Sequence, residues 1–525
     1  MAVAVVAMGL ASGLCIAQTS PATAPASAAA GQEFTMQLKD VPPGITADFE
    51  LWLPPNIGKG DAVRGLILAS DYQAGRGIYD DPSYRALAQK LRMGMLRHKL
   101  FRKSGARNGP AWDKDIADAL LKGLAELAKT SGHAEVAHAC MIHTGLSWSG
   151  MQAPGLADAL PERSIGVVTY HTTGFGEYKN AYGVPMLVLI AEYDQFMTPP
   201  EVDAAILKGR ANGALWAGLY QAGNTHETLG DPAYMVRWIE QVVAMRLPKE
   251  LPADAPAGLK AVDEKSGWLG ELRFDADTQR RAQGQAAAAA FADYKGDKAK
   301  AYWLPSKSLA EDWIKATTSP DASPHARRPL NAVGSPQKPA PVPAAPGEIT
   351  IDGDLADWAA VKPLPAPFDG REAGCLRLCW SPQGLYGAVT ATGSRIVSNA
   401  QSPWKGDCLE LFLDKAFTRA PKKSDTSVQY VFAPGADGQP AIIWPAEVKD
   451  QLQAAAVPTK DGYTLEFFIP AKVMAPAKLQ AGTKIGLNYA LSDDGKTVET
   501  FFCSKDFGGF AISALWGAIE LLAAK

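Results

Sequence analysis

His143-Thr144-Gly145-Leu146-Ser147-Trp148-Ser149-Gly150 is the stretch whose reading decides the fold of this chain. An apolar run, Ala137 to Ile142, leads into it, and small residues able to start a helix follow. The pattern predicts strand, sharp turn and helix, with a serine at the tip. Such a turn holds the serine in a strained backbone conformation, and the residues two positions to either side must be small to avoid collision. Gly145 meets that need. Ser149 meets it less well, since glycine is usual there and Gly150 comes one place late. A serine between glycines also suits a plain turn, so the reading depends on the chain around it.

Upstream, Ala47 to Leu53 alternates as a strand, and Gly65 to Ser70 is a continuous apolar run of the kind buried in parallel sheets. Pro82 to Lys90 reads as helix and Met93 to Leu96 as a short strand. Trp112 to Lys129 carries Ile116, Leu120, Leu121, Leu124 and Leu127 at helical spacing. Downstream come strand Ile165 to Tyr170, strand Met186 to Ile190, helix Pro200 to Lys208, strand Leu215 to Tyr220 and helix Pro232 to Met245. Alternating apolar strands and helices predict a mostly parallel sheet with helices on both faces.

A serine hydroxyl is a poor nucleophile until a histidine takes its proton, and that histidine needs a carboxylate to orient it. The run Val184 to Ile190 ends in Ala191-Glu192-Tyr193-Asp194, which places Asp194 at the carboxyl end of a buried strand. Alternation turns Glu192 the other way. Ala222-Gly223-Asn224-Thr225-His226 lies between the last strand and the last helix, and puts His226 over the same sheet edge. Asp203 reads as a helix-surface residue, His143 as packed in the sheet, and His171 as a polar residue at a strand end.

The order Ser147, Asp194, His226 on these elements resembles the α/β-hydrolase superfamily, in particular secreted esterases of the polyhydroxybutyrate depolymerase and feruloyl esterase kind. The resemblance covers roughly Phe49 to Leu247. It implies Ser147 as nucleophile, His226 as general base and Asp194 as the acid that orients it. It also implies an oxyanion hole from the backbone N–H of Trp148 and one from the loop starting at Asp71 or Tyr72. No cofactor is needed for that chemistry.

Past this region, Leu251 to Trp313 carries Gly267-Trp268-Leu269-Gly270, an alanine-rich segment read as helix near Ala286 to Tyr294, and Tyr302-Trp303-Leu304-Pro305. Its large aromatics predict an extension packed on the first domain. Thr317 to Gly347 is rich in Pro, Ala and Ser and reads as a semi-stiff linker. From Glu348 onward, short strand signals at high density predict a β-sandwich: Leu376 to Trp380, Leu385 to Thr390, Cys408 to Leu413, Val428 to Phe432, Tyr463 to Ile469 and Ile485 to Leu491.

Ile351-Asp352-Gly353-Asp354-Leu355-Ala356-Asp357-Trp358, then Trp404-Lys405-Gly406-Asp407-Cys408-Leu409-Glu410, and the closing Leu515-Trp516-Gly517-Ala518-Ile519-Glu520-Leu521 resemble a family 9 carbohydrate-binding module. The resemblance spans nearly the whole second domain. It implies two aromatic rings that clamp a terminal sugar, Trp404 being the first and Phe501 or Phe502 standing where the second is expected, with Glu410 as acidic partner. Sugar C–H faces stack on rings while hydroxyls need charged or amide partners. The resemblance further implies structural calcium (Ca2+), to which Asp352 and Asp354 would contribute; turn chemistry is the other reading of both.

The remaining composition is ordinary for a globular protein of 525 residues, and its formal charge of −3 gives no case for nucleic acid. Ala2 to Ala17 resembles a secretory signal, although no basic segment precedes the apolar run. No later stretch is apolar enough to span a bilayer, so the mature protein is expected to be secreted or periplasmic, without membrane attachment. Cys15 would leave with the signal, Cys140 reads as a buried thiol, and Cys375, Cys379, Cys408 and Cys503 allow three pairings. The expected organisation is a signal over 1–17, a disordered segment over 18–31, the α/β-hydrolase domain over 32–248, its extension over 249–316, the linker over 317–347 and the sandwich over 348–525. The function that follows is an exported serine esterase acting on acetyl or feruloyl substituents of a polysaccharide or oligosaccharide. Two other readings stay open: a polyester or small-ester hydrolase with a structural second domain, and a glycan-binding protein with an inactive hydrolase fold.

Overall fold

The computed structural model describes residues 31–524, apart from 72–74, 105–106, 111–113, 175–177, 227–228, 253, 276–280, 319–327, 329–330, 367–373, 394–395, 421–423, 437–438, 493–499 and 503–511. The expected signal and the segment after it therefore lie outside the described residues, apart from Gly31.

In the first domain the elements run β1 Gln32–Gln37, β2 Ile45–Leu53, β3 Leu66–Ser70, α1 Gly75–Tyr79, α2 Pro82–Leu91, β4 Gly94–Ser104, β5 Arg107–Pro110, α3 Lys114–Ser131, β6 Met141–Leu146, α4 Trp148–Ala159, β7 Ser164–Tyr170, β8 Met186–Tyr193, α5 Pro199–Arg210, β9 Trp216–Thr225 and α6 Ala233–Arg246. The sheet order is β1-β2-β4-β3-β6-β7-β8-β9, with β5 paired to β4. β1, β2 and β4 are antiparallel neighbours, and every pairing from β4–β3 to β8–β9 is parallel. This is the mostly parallel, doubly covered sheet that the apolar runs predict. Alternation along β3 shows both faces in use: Leu66 and Leu68 pack with Leu120, Leu124 and Leu127 of α3, while Ile67 and Ala69 join the core under Trp238 and Ile239 of α6.

Two local expectations are corrected. The strand before the elbow is Met141–Leu146, not Ala137 to Ile142. Ala134–His138 forms a short helical turn, and Arg163 takes the carbonyls of Ala137 and Ala139 that a strand would have used. The alanine-rich segment expected as helix is strand β11, Arg281–Ala290, paired with β10, Trp268–Phe274, which also pairs with β12, Tyr302–Leu304. Alanine's helix preference is only a few tenths of a kcal/mol per residue over most others. Pairing with β10 and packing of Ala286 and Ala288 against the first domain's core outweigh it. The extension continues into α7, Lys307–Thr318, whose Trp313 donates from Nε1 to the Gly218 carbonyl on β9 at 2.6 Å. Gly218 has no room for a side chain, because a Cβ there would stand 2.8 Å from the Tyr302 ring.

The second domain is a sandwich. Its strands are β13 Ala340–Val342, β14 Gly374–Ser381, β15 Gly384–Thr392, β16 Cys408–Asp414, β17 Ser427–Ala433, β18 Ile442–Trp444, β19 Gln453–Thr459, β20 Gly462–Pro470, β21 Lys484–Ser492, β22 Thr500–Phe501 and β23 Gly517–Leu521, with one short helix, α8 Ala471–Met474. One sheet runs β13-β23-β21-β16-β17-β18 with β22 on β21, and the other runs β14-β15-β20-β19. Leu409, Leu411 and Leu413 face Leu465, Phe467 and Ile469 across the core, and Phe432 stacks on Phe467 at 4.4 Å. The expected linker is corrected here: β13 lies inside it and pairs in parallel with β23, and Arg328 donates to the carbonyl of Phe502. Proline suits that place because β13 is an edge strand.

Asp203 also departs from expectation. It accepts the Tyr302 hydroxyl, and burial pushes its carboxyl up to about 6 from an ordinary 3.8. The folded protein then holds a proton that the unfolded chain has lost. The stabilisation is complete below about pH 4 and is lost as pH rises through about 6. Asp203→Asn removes this dependence. Its melting temperature is expected to match the wild type near pH 4 and to exceed it by roughly 2–4 °C at pH 7 in thermal unfolding at both values.

Candidate active site

The carboxyl ends of the parallel strands bring three side chains together. Ser147 sits between β6 and α4 with φ 84° and ψ −107°, a region that residues with a Cβ rarely enter. Its N–H donates to the Tyr170 carbonyl of β7 at 3.0 Å. Two glycines make the turn possible. A Cβ on Gly145 would stand 2.3 Å from the Ser149 carbonyl oxygen, and one on Gly150 would stand 2.7 Å from the Thr169 hydroxyl. The departure from glycine at Ser149 is tolerated because the close approach falls on Gly145 and on Gly150, while Ser149 itself is buried. Pro154 lies within α4 and has no N–H for the Gly150 carbonyl one turn back; the Thr169 hydroxyl donates to that carbonyl at 2.7 Å.

His226 Nε2 is 2.8 Å from Ser147 Oγ, and its Nδ1 is 2.7 Å from Asp194 Oδ2. Asp194 and His226 are buried, and Asp194 Oδ1 accepts the N–H groups of Phe196 and Met197 at 2.8 and 3.3 Å. A carboxylate on Nδ1 keeps that nitrogen protonated and leaves Nε2 able to take the serine proton. Glu192 turns away, as alternation predicts, and accepts the Gly223 N–H at 2.7 Å.

The oxyanion-hole expectations divide. Trp148 is the first residue of α4 and follows Ser147 directly, which is the position such a donor takes. Asp71 is corrected: its N–H donates to the His98 carbonyl at 2.8 Å, and its carboxylate pairs with Arg97, so neither serves the site. Tyr72 lies outside the described residues.

His171 does more than end a strand. It has φ 49°, and its Nδ1 donates to the His226 backbone carbonyl at 2.7 Å while Nε2 lies 3.1 Å from Gln221 Oε1. Burial holds its pKa below the usual histidine range. It is a support for His226 that no sequence spacing announces. His143, expected to be packed in the sheet, bonds Ser164 Oγ at 2.9 Å, and burial depresses it to about 3. His171, Asp194 and His226 offer ligand atoms within 4.8 Å of one another, the one such three-member group among the described residues. All four ring nitrogens already face partners within the site. Cys140 is a buried free thiol, as expected, and Cys375 and Cys379 are also free. Cys503 lies outside the described residues.

In the sandwich, Trp404 stands edge-on to Trp444, with ring centroids 5.4 Å apart. Glu410 accepts from Gln429 Nε2 at 2.5 Å. Glu410 pairs with Val431, which pairs with Trp444, so register puts Glu410 and Trp444 in one row on the sheet's outer face. Trp444 escaped sequence reasoning because β18 is only three residues long and its place beside β17 depends on tertiary pairing, and Gln429 because only the pairing of β17 with β16 brings it to Glu410. Phe502 is corrected: it is fully buried, stacked on Tyr489 at 5.3 Å with Arg328 over its ring, and belongs to the core. Phe501 pairs through its backbone with Ala490; its side chain lies outside the described residues. Asp352 and Asp354 both make turn hydrogen bonds. Asp352 accepts the Asp354 N–H and Asp354 the Ala356 N–H, and neither belongs to a metal-sized group among the described residues. The opening motif is instead held by Glu466, which accepts from Asp352 N, Gly353 N and Trp358 Nε1.

Residues 360–523 match the family model described as "Carbohydrate family 9 binding domain-like". No curated protein matches the chain at a significant level. Among solved structures, a family 9 carbohydrate-binding module from Caldicellulosiruptor kristjanssonii, in complex with cellotriose, is 18% identical over 35% of this chain and 95% of its own, with a TM-score of 0.29. An acetyl xylan esterase from Aspergillus awamori is 12% identical over 40% of this chain and 99% of its own, with a TM-score of 0.30, and an esterase from Pyrobaculum calidifontis is 13% identical over 42% and 87%, also at 0.30. The chain joins an α/β-hydrolase fold, recognisable by its strand order and elbow, to a family 9-like carbohydrate-binding domain.

Proposed function

We propose that the protein is an exported serine esterase that cleaves ester substituents, of the acetyl or feruloyl class, from a polysaccharide or oligosaccharide. The observation that carries this reading is the unbroken chain Ser147 Oγ, His226 Nε2, His226 Nδ1, Asp194 Oδ2 at a left-handed serine. Ser147 Oγ adds to the ester carbonyl carbon as its proton passes to His226 Nε2. Asp194 stabilises the imidazolium, and the backbone N–H of Trp148 faces the oxygen that gains charge. The tetrahedral adduct then expels the alcohol, which takes the proton back from His226. Water, deprotonated by the same nitrogen, releases the acid and restores Ser147. No metal or cofactor enters these steps.

The second domain supports the glycan part of the reading. Trp404 and Trp444 present aromatic surface beside the Glu410–Gln429 pair, the mixture of ring and polar groups that sugars need. Tethered to the esterase, such a site raises the local concentration of glycan ester.

Ser147→Ala and Asp194→Asn are each expected to lower kcat for p-nitrophenyl acetate by about a thousandfold or more. A fluorophosphonate probe should label the wild type and leave Ser147→Ala unlabelled. A folded wild type that neither turns over nor labels would overturn the esterase reading. Separately, Trp404→Ala in the full chain is expected to abolish retention on whichever insoluble polysaccharide retains the wild type, measured by pull-down across cellulose, xylan and mannan.

A further inference from the structure

The alcohol that leaves an ester takes its proton from the catalytic histidine, so the leaving group must lie against that ring. An exposed aromatic side chain stands there. Phe196 is 64% exposed, ahead of Val457 and Leu522 at 42% each, the other exposed large apolar residues among those described. Its ring meets the His226 ring at 4.7 Å between centroids and 79° between planes. Large aromatic surface left open to water beside a reacting group suits a stacking partner.

The residue before it adds an independent observation. Gln195 is 5% exposed, and neither its Nε2 nor its Oε1 has a hydrogen-bond partner. A buried amide with both ends unmet is rare in a folded protein and marks a place where a polar ligand would be welcomed. The segment is also fixed in place. Asp194 Oδ1 holds the N–H groups of Phe196 and Met197, and Thr198 and Glu201 form a reciprocal cap that opens α5 at Pro199. Tyr193, on the other side of Asp194, packs with Phe412, Ile512, Leu515 and Trp516 of the second domain. Phe412 lies two residues from Glu410 on β16 and so shares its face.

From this placement we infer that Gln195 and Phe196 form the subsite for the sugar that carries the ester. The C–H face of a pyranose stacks on the Phe196 ring, and one of its oxygen substituents bonds the Gln195 amide. The subsite rests on the esterase reading and deepens it, since it assigns specificity to the alcohol side of the ester.

The test uses the full chain and two acetate esters that differ in their alcohol, glucose pentaacetate and ethyl acetate, whose small aliphatic alcohol has no face to stack. In Phe196→Ala the ratio of kcat/KM for the sugar ester to that for ethyl acetate is expected to fall about tenfold, chiefly through KM, with recovery in Phe196→Trp. Gln195→Leu should lower the same ratio. A ring that only shields His226 would lower both esters together and leave the ratio unchanged, and that result overturns the subsite. If neither ester shows Ser147-dependent turnover, the esterase reading is what has failed. Calorimetric binding of glucose pentaacetate to Ser147→Ala with and without Phe196→Ala then decides the subsite: about tenfold weaker binding upholds it, and equal binding overturns it.

Discussion

A missing β-carbon sets the geometry of the first domain's site. Because Gly145 has none, the backbone of Ser149 can close to within van der Waals reach of β6, and the chain reverses from strand to helix within a residue. That reversal forces Ser147 into a left-handed conformation, and strain of this kind persists only where the surroundings over-determine it. Here they do. The Ser147 N–H is held by the Tyr170 carbonyl, Gly150 presses on β7, and Thr169 takes the carbonyl that Pro154 leaves without a helical donor. The nucleophile's position is thus a property of two parallel strands and one helix, and the acid and base reach it because β8 and β9 end on the same side.

Much of this was legible in the sequence, for reasons that differ by element. The strands of the parallel sheet announce themselves because both faces are buried, so apolar runs such as Met186 to Ile190 carry no polar interruption. Ser147, Asp194 and His226 were legible because each lies just beyond such a run, and chain order alone distributes them along one edge. What failed was local propensity set against tertiary pairing. Five alanines in a row at 286–290 read as helix, yet β10 recruits them as a strand against α7. The proline-rich stretch before the sandwich read as linker, yet an edge strand tolerates proline.

The second domain shows the same limit at the level of a site. Trp404 and Glu410 were legible by motif, whereas Trp444 joins them only through the pairing of β17 with β18. Phe502 went the other way, because it follows a two-residue strand, β22, too short to show alternation, and stacking on Tyr489 puts it inside. Asp71 failed for a related reason: a backbone N–H at a strand end belongs to the sheet whenever a neighbouring carbonyl, here that of His98, is in register.

The parallel pairing of β13 with β23 has a consequence for where the second domain begins. Similarity to the family starts at residue 360, but the hydrogen-bonded unit starts some twenty residues earlier, with a strand that closes the edge of the larger sheet. A fragment cut at the similarity boundary would bare β23 as an open edge and would remove Arg328 from its place over Phe502. Open edges invite pairing with other chains. Such a fragment is therefore a candidate for self-association, and the short stretch that looks like a tether is the domain's own seal.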